Sequence, residues 1–225
     1  MRRNVLPLAL VVLLVGLFLA GHVARSRLGI ELSAESIRTV VGGFGWKAPA
    51  IYLGILTFRQ FLLLPSALVL SIGGAAFGAS LGTLLGAAGI AISAALKYTI
   101  ARGLGREWLR GRFGAAAAAF ERHAGAAGPL VVGLATAHPA GPMAPVHWGA
   151  GVAGVPAASF AAAVALAAPI RAFAYAFFGS TLLEPGSARF WLAAALLVGA
   201  VFAPLAHPGL RERLWRTAGR GAGGA

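Results

Sequence analysis

Three cations lie inside otherwise apolar stretches of this chain: Arg59, Lys97 and Arg171. A charge carried to membrane depth costs roughly 3 kcal/mol on insertion scales and normally faces a partner or a wet cavity. The six acidic residues are all glutamates, at 31, 35, 107, 121, 184 and 212, and none falls in an apolar stretch. The missing counter-charge is therefore expected on a ligand. An anionic headgroup suits the arrangement, its phosphate oxygens held by the forked donors of a guanidinium. Lys97 sits close enough to the end of its stretch to reach the boundary instead. Imidazoles ordinarily titrate near neutral pH, which makes His138 and His147 candidates for proton relay, with plain hydrogen bonding as the alternative. Without an Asp or Cys beside them they complete no metal shell. The expected substrate-binding set is Arg59, Lys97, His138, His147 and Arg171, with no catalytic residue, metal or cofactor. Gly78-Ala79-Ser80-Leu81-Gly82 has the G-x-S-x-G form of a nucleophile elbow, yet the strand that leads into such an elbow is missing, so no enzyme is expected.

The elements that must position these residues are helices in a membrane. Of 225 residues, 59% are hydrophobic and only 11% charged, too little charge to cover a water-soluble domain. The absence of cysteine excludes disulfides and thiolate metal sites. A net charge of +13 points to nucleic acid in a soluble protein, but here the arginines stand at the ends of apolar segments and are not interleaved with aromatics. They read as topology determinants facing anionic headgroups.

Residues 5–24 are long and apolar enough for an uncleaved span, with a cleaved signal peptide as the competing reading. Residues 31–45 read as an amphipathic interfacial helix, closed by Trp46 and Lys47. Residues 49–64 reach into the bilayer without comfortably crossing it, and Pro65 stops them. With 66–78 returning, they predict a re-entrant hairpin, followed by a full span over 80–101. Gly74, Gly78, Gly82 and Gly86, four apart, predict one small-residue face along a helix. The basic loop 102–128 is expected on the cytoplasmic side, with a surface helix at its centre. Residues 129–156 hold five prolines, which no straight span accommodates. They predict a second re-entrant hairpin turning at His138-Pro139-Ala140-Gly141-Pro142. Residues 157–179, with Pro169 inside, and 190–206 are expected spans, and the basic tail is cytoplasmic. The tryptophans read as interface anchors.

The expected fold is an all-α membrane bundle with two opposed re-entrant hairpins forming an inverted repeat, the plan of many secondary transporters. It divides into an N-terminal anchor and interfacial helix (1–47), a core (48–180), and a last span with a basic tail (181–225). More than half of the 19 Lys and Arg residues fall on the proposed cytoplasmic side.

Pro65, Gly73-Gly74, Phe77-Gly78, Gly82 and the closing Ala101-Arg102-Gly103-Leu104-Gly105-Arg106 together resemble the DedA superfamily. The likeness is nearest to its VTT-domain branch, bacterial relatives of the SNARE-associated Golgi proteins, and covers about residues 45–180. It implies hairpins shaped by Pro65, Gly73, Gly74, Gly78, Gly82, Pro139 and Pro142. It also implies movement of lipids or lipid-linked carriers across the bilayer, including undecaprenyl phosphate recycling and phospholipid scrambling. The chain departs from the pattern in offering His138 where many relatives carry an arginine, and in lacking acidic residues near the first hairpin. The expectation is a lipid or lipid-phosphate translocator of the bacterial cytoplasmic membrane with both termini cytoplasmic. Its partners would be membrane lipids, an anionic phospholipid or polyprenyl phosphate among them, and not nucleic acid. A secondary transporter of another small anion and a non-transporting membrane scaffold are the alternatives.

Overall fold

A computed structural model of the chain describes residues 39, 41–60, 64–182 and 184–206, with side chains outside 106–126 and 204–206. The expected first span at 5–24, most of the interfacial helix at 31–45 and the basic tail lie outside the described residues. Those described are helical, without strands, as expected. A short 3-10 turn, Gly45–Lys47, leads into α1 (Ala48–Phe58); α2 (Ser66–Ala137), α3 (Met143–Ala153), α4 (Ala157–Thr181) and α5 (Ala188–Ala206) follow. Pro49 opens α1, where its missing N–H costs nothing.

The first helical hairpin is made by α1 and the start of α2. α1 ends at Phe58, earlier than Pro65 alone predicts, and the turn closes with the Leu64 amide on the Arg59 carbonyl (2.9 Å). Pro65, in extended conformation, then caps α2, which folds back until Gly73 lies under the Tyr52 ring. At Gly78 the helix reverses. Its φ of +79° is open to glycine and costly for residues with a Cβ. Beyond it Gly82 meets the backbone of Gly73 and Gly74, nine and eight residues back, which a straight helix would hold roughly 12–13 Å away. This corrects the reading of Gly74, Gly78, Gly82 and Gly86 as one helix face: Gly74 and Gly82 face each other across a turn made at Gly78. Residues 79–105 then run alongside α1, with Gly89 against Leu56 and Ser93 bonded to the Thr57 carbonyl (3.1 Å).

Gly105 packs on Val152 and Gly128 on Val155, so the chain leaves and returns at one place, and the helical backbone between them does not run on straight. The end of α2 and α3 form the second hairpin. Its turn falls at His138–Pro142 as the prolines predict, and Thr136 faces His147 across it. Gly154, with φ of +75°, reverses the chain into α4. Pro169 is inside α4, as expected for that span.

The two long runs, 79–105 and α4, lie antiparallel. Ala172 meets Gly86, and Phe160 stacks on Tyr98 with ring centroids 4.4 Å apart. Gly74 lies on the Ala176 backbone and Gly179 on the Ser71 backbone, so even one methyl at either would force the helices apart. Polarity runs inside out for a water-soluble protein. Arg59, Lys97, His147 and Arg171 are buried, while Leu84, Leu134, Leu166 and Ile170 are each more than half exposed. Ser66–Gly105 and Ala157–Thr181 are long and apolar enough to cross a membrane. The expected span at 190–206 is helical, within Ala188–Ala206.

Candidate functional site

Both hairpin turns open on one cavity of about 310 Å³. It is lined by Arg59, Gln60, Leu64 and Ser66 from the first hairpin, Gly141 to Pro145 from the second, and Arg171 from α4. Two helices, α2 and α3, begin at its wall and bring the partial positive charge of their N-termini to it, although in α3 the Met143 and Val146 amides are taken by the Gly141 and Pro142 carbonyls and Pro145 has none.

Arg171 is 4% exposed. Its Nη1 donates to the carbonyls of His138 (2.7 Å), Gly141 (3.2 Å) and Ala135 (3.5 Å). Pro139 has no N–H to give the Ala135 carbonyl, and the His138 and Gly141 carbonyls, which accept the Gly141 and Met143 amides (both 2.9 Å), receive the guanidinium on their second lone pair. Nη2 donates to Ser66 Oγ (3.1 Å), so one guanidinium joins the second turn to the start of the first hairpin's returning helix. Four residues along α4, Tyr175 donates to the Pro139 carbonyl (3.0 Å). Arg59, 6% exposed, comes from the first turn. The Nε atoms of both arginines are buried without a hydrogen-bond partner. Of the six glutamates only Glu184 has a described side chain, and it is exposed beyond the end of α4. Among the described residues the cavity is thus lined by two buried guanidinium groups and no carboxylate.

Lys97 stands behind this wall. It is 1% exposed, and Nζ donates to Gln60 Oε1 and Ser93 Oγ, both at 2.9 Å. The histidines lie elsewhere. His138 has Nε2 at 3.1 Å from the Val201 carbonyl; since a carbonyl only accepts, that nitrogen carries the proton and tethers the second turn to α5. His147 is fully buried, with Nε2 at 2.8 Å from Thr136 Oγ1 and its ring edge-on to Phe160. Of the five residues expected to bind substrate, the structure brings Arg59 and Arg171 to the cavity, sets Lys97 behind it, and places both histidines in contacts that hold the second hairpin.

A family model, that of the VTT domain, matches residues 64–181, just over half of the chain. The chain belongs to the VTT-domain family. A search of the curated proteins and of the solved structures finds no match. Membership of the VTT-domain family agrees with the DedA-like pattern of proline and glycines, and with the inside-out polarity it identifies a helical membrane protein. The matched range contains Lys97, His138, His147 and Arg171, and Arg59 precedes it.

Sequence reasoning about this VTT-domain protein left out Gln60, Ser66 and the carbonyls of the second turn. A neutral amide beside an arginine attracts no notice at membrane depth, and Ser66 reads only as a helix start. The available signal was Gln60 itself, a polar residue next to Arg59 just before a proline break.

Proposed function

We propose that this protein binds the phosphate of an anionic lipid headgroup in the cavity between its hairpin turns and lets that headgroup cross the bilayer, without covalent chemistry. One observation carries the reading: two buried arginines with unpartnered Nε donors share a cavity that no described carboxylate neutralises. A guanidinium offers several donors to one phosphate, and the N-terminus of α2 adds backbone amides. A soluble enzyme's phosphate site needs no apolar exterior; this one is surrounded by outward Leu84, Leu134 and Leu166, which suit acyl chains.

In this reading the hairpins are re-entrant. Each of the two halves runs helix, turn, returning helix, a positive-φ glycine (Gly78 or Gly154) and then a long apolar helix, and the two long helices are antiparallel. Such a pair of halves related by a two-fold axis in the membrane plane puts both turns at the midplane, where broken helices commonly form a transport site. The membrane is the bacterial cytoplasmic one, with both chain ends on the cytoplasmic side.

Reconstitution tests the proposal. Purified protein in phosphatidylcholine vesicles carrying a trace of fluorescent phosphatidic acid is expected to expose inner-leaflet label to an external quencher faster than protein-free vesicles. Arg59→Met should slow the exchange. Equal rates with and without protein would leave the proposal without support, and uptake of inorganic phosphate with no lipid movement would assign the cavity to a soluble anion.

A further inference from the structure

The orientation of one amide sets what the cavity accepts. Lys97 is confined by its contacts: Ser93 Oγ gives its proton to the Thr57 carbonyl and therefore receives from Lys97 Nζ, and the same ammonium donates to Gln60. An ammonium has only donors, so whatever atom of Gln60 faces it must be the oxygen. The Gln60 Nε2 is then turned the other way, on a residue that lines the cavity, and it is buried without a partner. The remaining polar lining tells the same story. Arg59 Nε and Arg171 Nε are unpartnered donors, while the acceptors Ser66 Oγ and the Gly141 carbonyl already receive Arg171. Among the described side chains that line the cavity, the unpartnered buried polar atoms are all donors.

We infer that Gln60 is a specificity-determining residue whose amide N–H binds a phosphate oxygen, and that Lys97 is the positioning residue that holds the amide donor-side in. This inference rests on the anion-binding reading and narrows it. A headgroup whose polar atoms are all phosphate oxygens or other acceptors is satisfied by this lining. One that also carries an ammonium brings three donors to a wall whose described side chains offer no carboxylate and no unpartnered acceptor, so their desolvation is poorly relieved. The cavity therefore selects phosphate headgroups without a cation over zwitterionic ones.

The test uses the full chain in phosphatidylcholine vesicles doped with acyl-labelled phosphatidic acid or acyl-labelled phosphatidylethanolamine, each with and without inorganic phosphate. Wild type should move phosphatidic acid faster than phosphatidylethanolamine. Inhibition by inorganic phosphate marks the phosphate group as the recognised chemistry, whether it arrives free or on a lipid. Gln60→Glu keeps an oxygen toward Lys97 but replaces the inward N–H with a carboxylate oxygen. The preference should fall by about tenfold to a hundredfold, the worth of a hydrogen bond to a charged group, while the thermal midpoint holds. Gln60→Met removes the donor without adding charge and should lower the preference less. Lys97→Met frees the amide to turn and should also lower it, whereas Lys97→Arg should preserve it. If Gln60→Glu, Gln60→Met and Lys97→Met all keep the wild-type preference, the inference is wrong and the anion-binding reading stands. If wild type moves neither lipid and binds no phosphate, the reading fails and takes the inference with it.

Discussion

Arg59 and Arg171 border the same cavity but are held in different ways, and substitution should separate them. Arg171 is woven into the fold: its terminal nitrogens reach three carbonyls at the second turn and Ser66 in the first hairpin. Replacing it with Met removes both the anion contact and the staple, and should cost about 3 kcal/mol of stability through lost charge-assisted bonds. Arg59 is buried with an unpartnered Nε and meets no described carboxylate. Arg59→Met takes an uncompensated charge out of the interior, so its thermal midpoint should match or exceed wild type while phosphate affinity drops by about tenfold or more. Thermal unfolding in detergent and phosphate titration on the same samples check both. Equal loss of stability in the two variants would mean that Arg59 is as structural as Arg171. The sequence showed both arginines as cations without acids, because charge cost at membrane depth is readable from residue type alone. It did not show which carbonyls Arg171 would meet, since His138 and Gly141 are about thirty residues away in the chain and come near only once the second hairpin turns back.

At the scale of elements, glycine has two different jobs here and the two should fail differently. At Gly78 no atom lies within 4 Å of where a Cβ would go, so the constraint is the backbone angle alone. Gly78→Ala should fold with a loss of about 1–2 kcal/mol, the cost of left-handed backbone for a residue with a Cβ. At Gly74 the obstacle is the Ala176 backbone of α4, which cannot swing aside as a side chain can. Gly74→Val should prevent the close approach of α2 and α4 and abolish a cooperative melting transition. Calorimetry of the two variants distinguishes strain from overlap; similar midpoints would refute the distinction. These same positions explain what the sequence made legible. Pro65, Pro139 and Pro142 were recovered as breaks because a missing N–H interrupts a helix in any surroundings. The end of the returning leg at 78 was recovered too, but the same glycine was also put on one packing face with Gly74, Gly82 and Gly86, because a spacing of four fits a face and a reversal equally well and only the backbone angle tells them apart. The tether of His138 to Val201 in α5 was likewise out of reach, since it joins residues 63 apart in sequence with no shared pattern.

For the molecule as a whole, the geometry places the two reversals at opposite ends of the bundle, and that placement decides membrane topology. Residues 79–105 begin beside Gly78 and finish beside Val152; α4 begins after Gly154 and finishes with Gly179 beside Ser71. If both long helices cross the bilayer, Gly78 and Gly154 must lie on opposite faces. The basic segment after Arg102 belongs with the Gly154 end, which the proposed topology puts on the cytoplasmic side because of the excess of arginine. Ser80 and Ala157 are exposed next to the two reversals, and the chain has no native cysteine to confuse labelling. A membrane-impermeant maleimide should therefore modify Ser80→Cys in intact cells and Ala157→Cys only after permeabilisation. Modification of both from the same side would contradict the opposed hairpins and with them the midplane cavity, since two turns entering from one face would not meet from opposite directions around Arg171. The opposite assignment, Ala157→Cys labelled in intact cells and Ser80→Cys protected, would keep the architecture and invert it, requiring the arginine-rich segment to face outward against the usual charge bias.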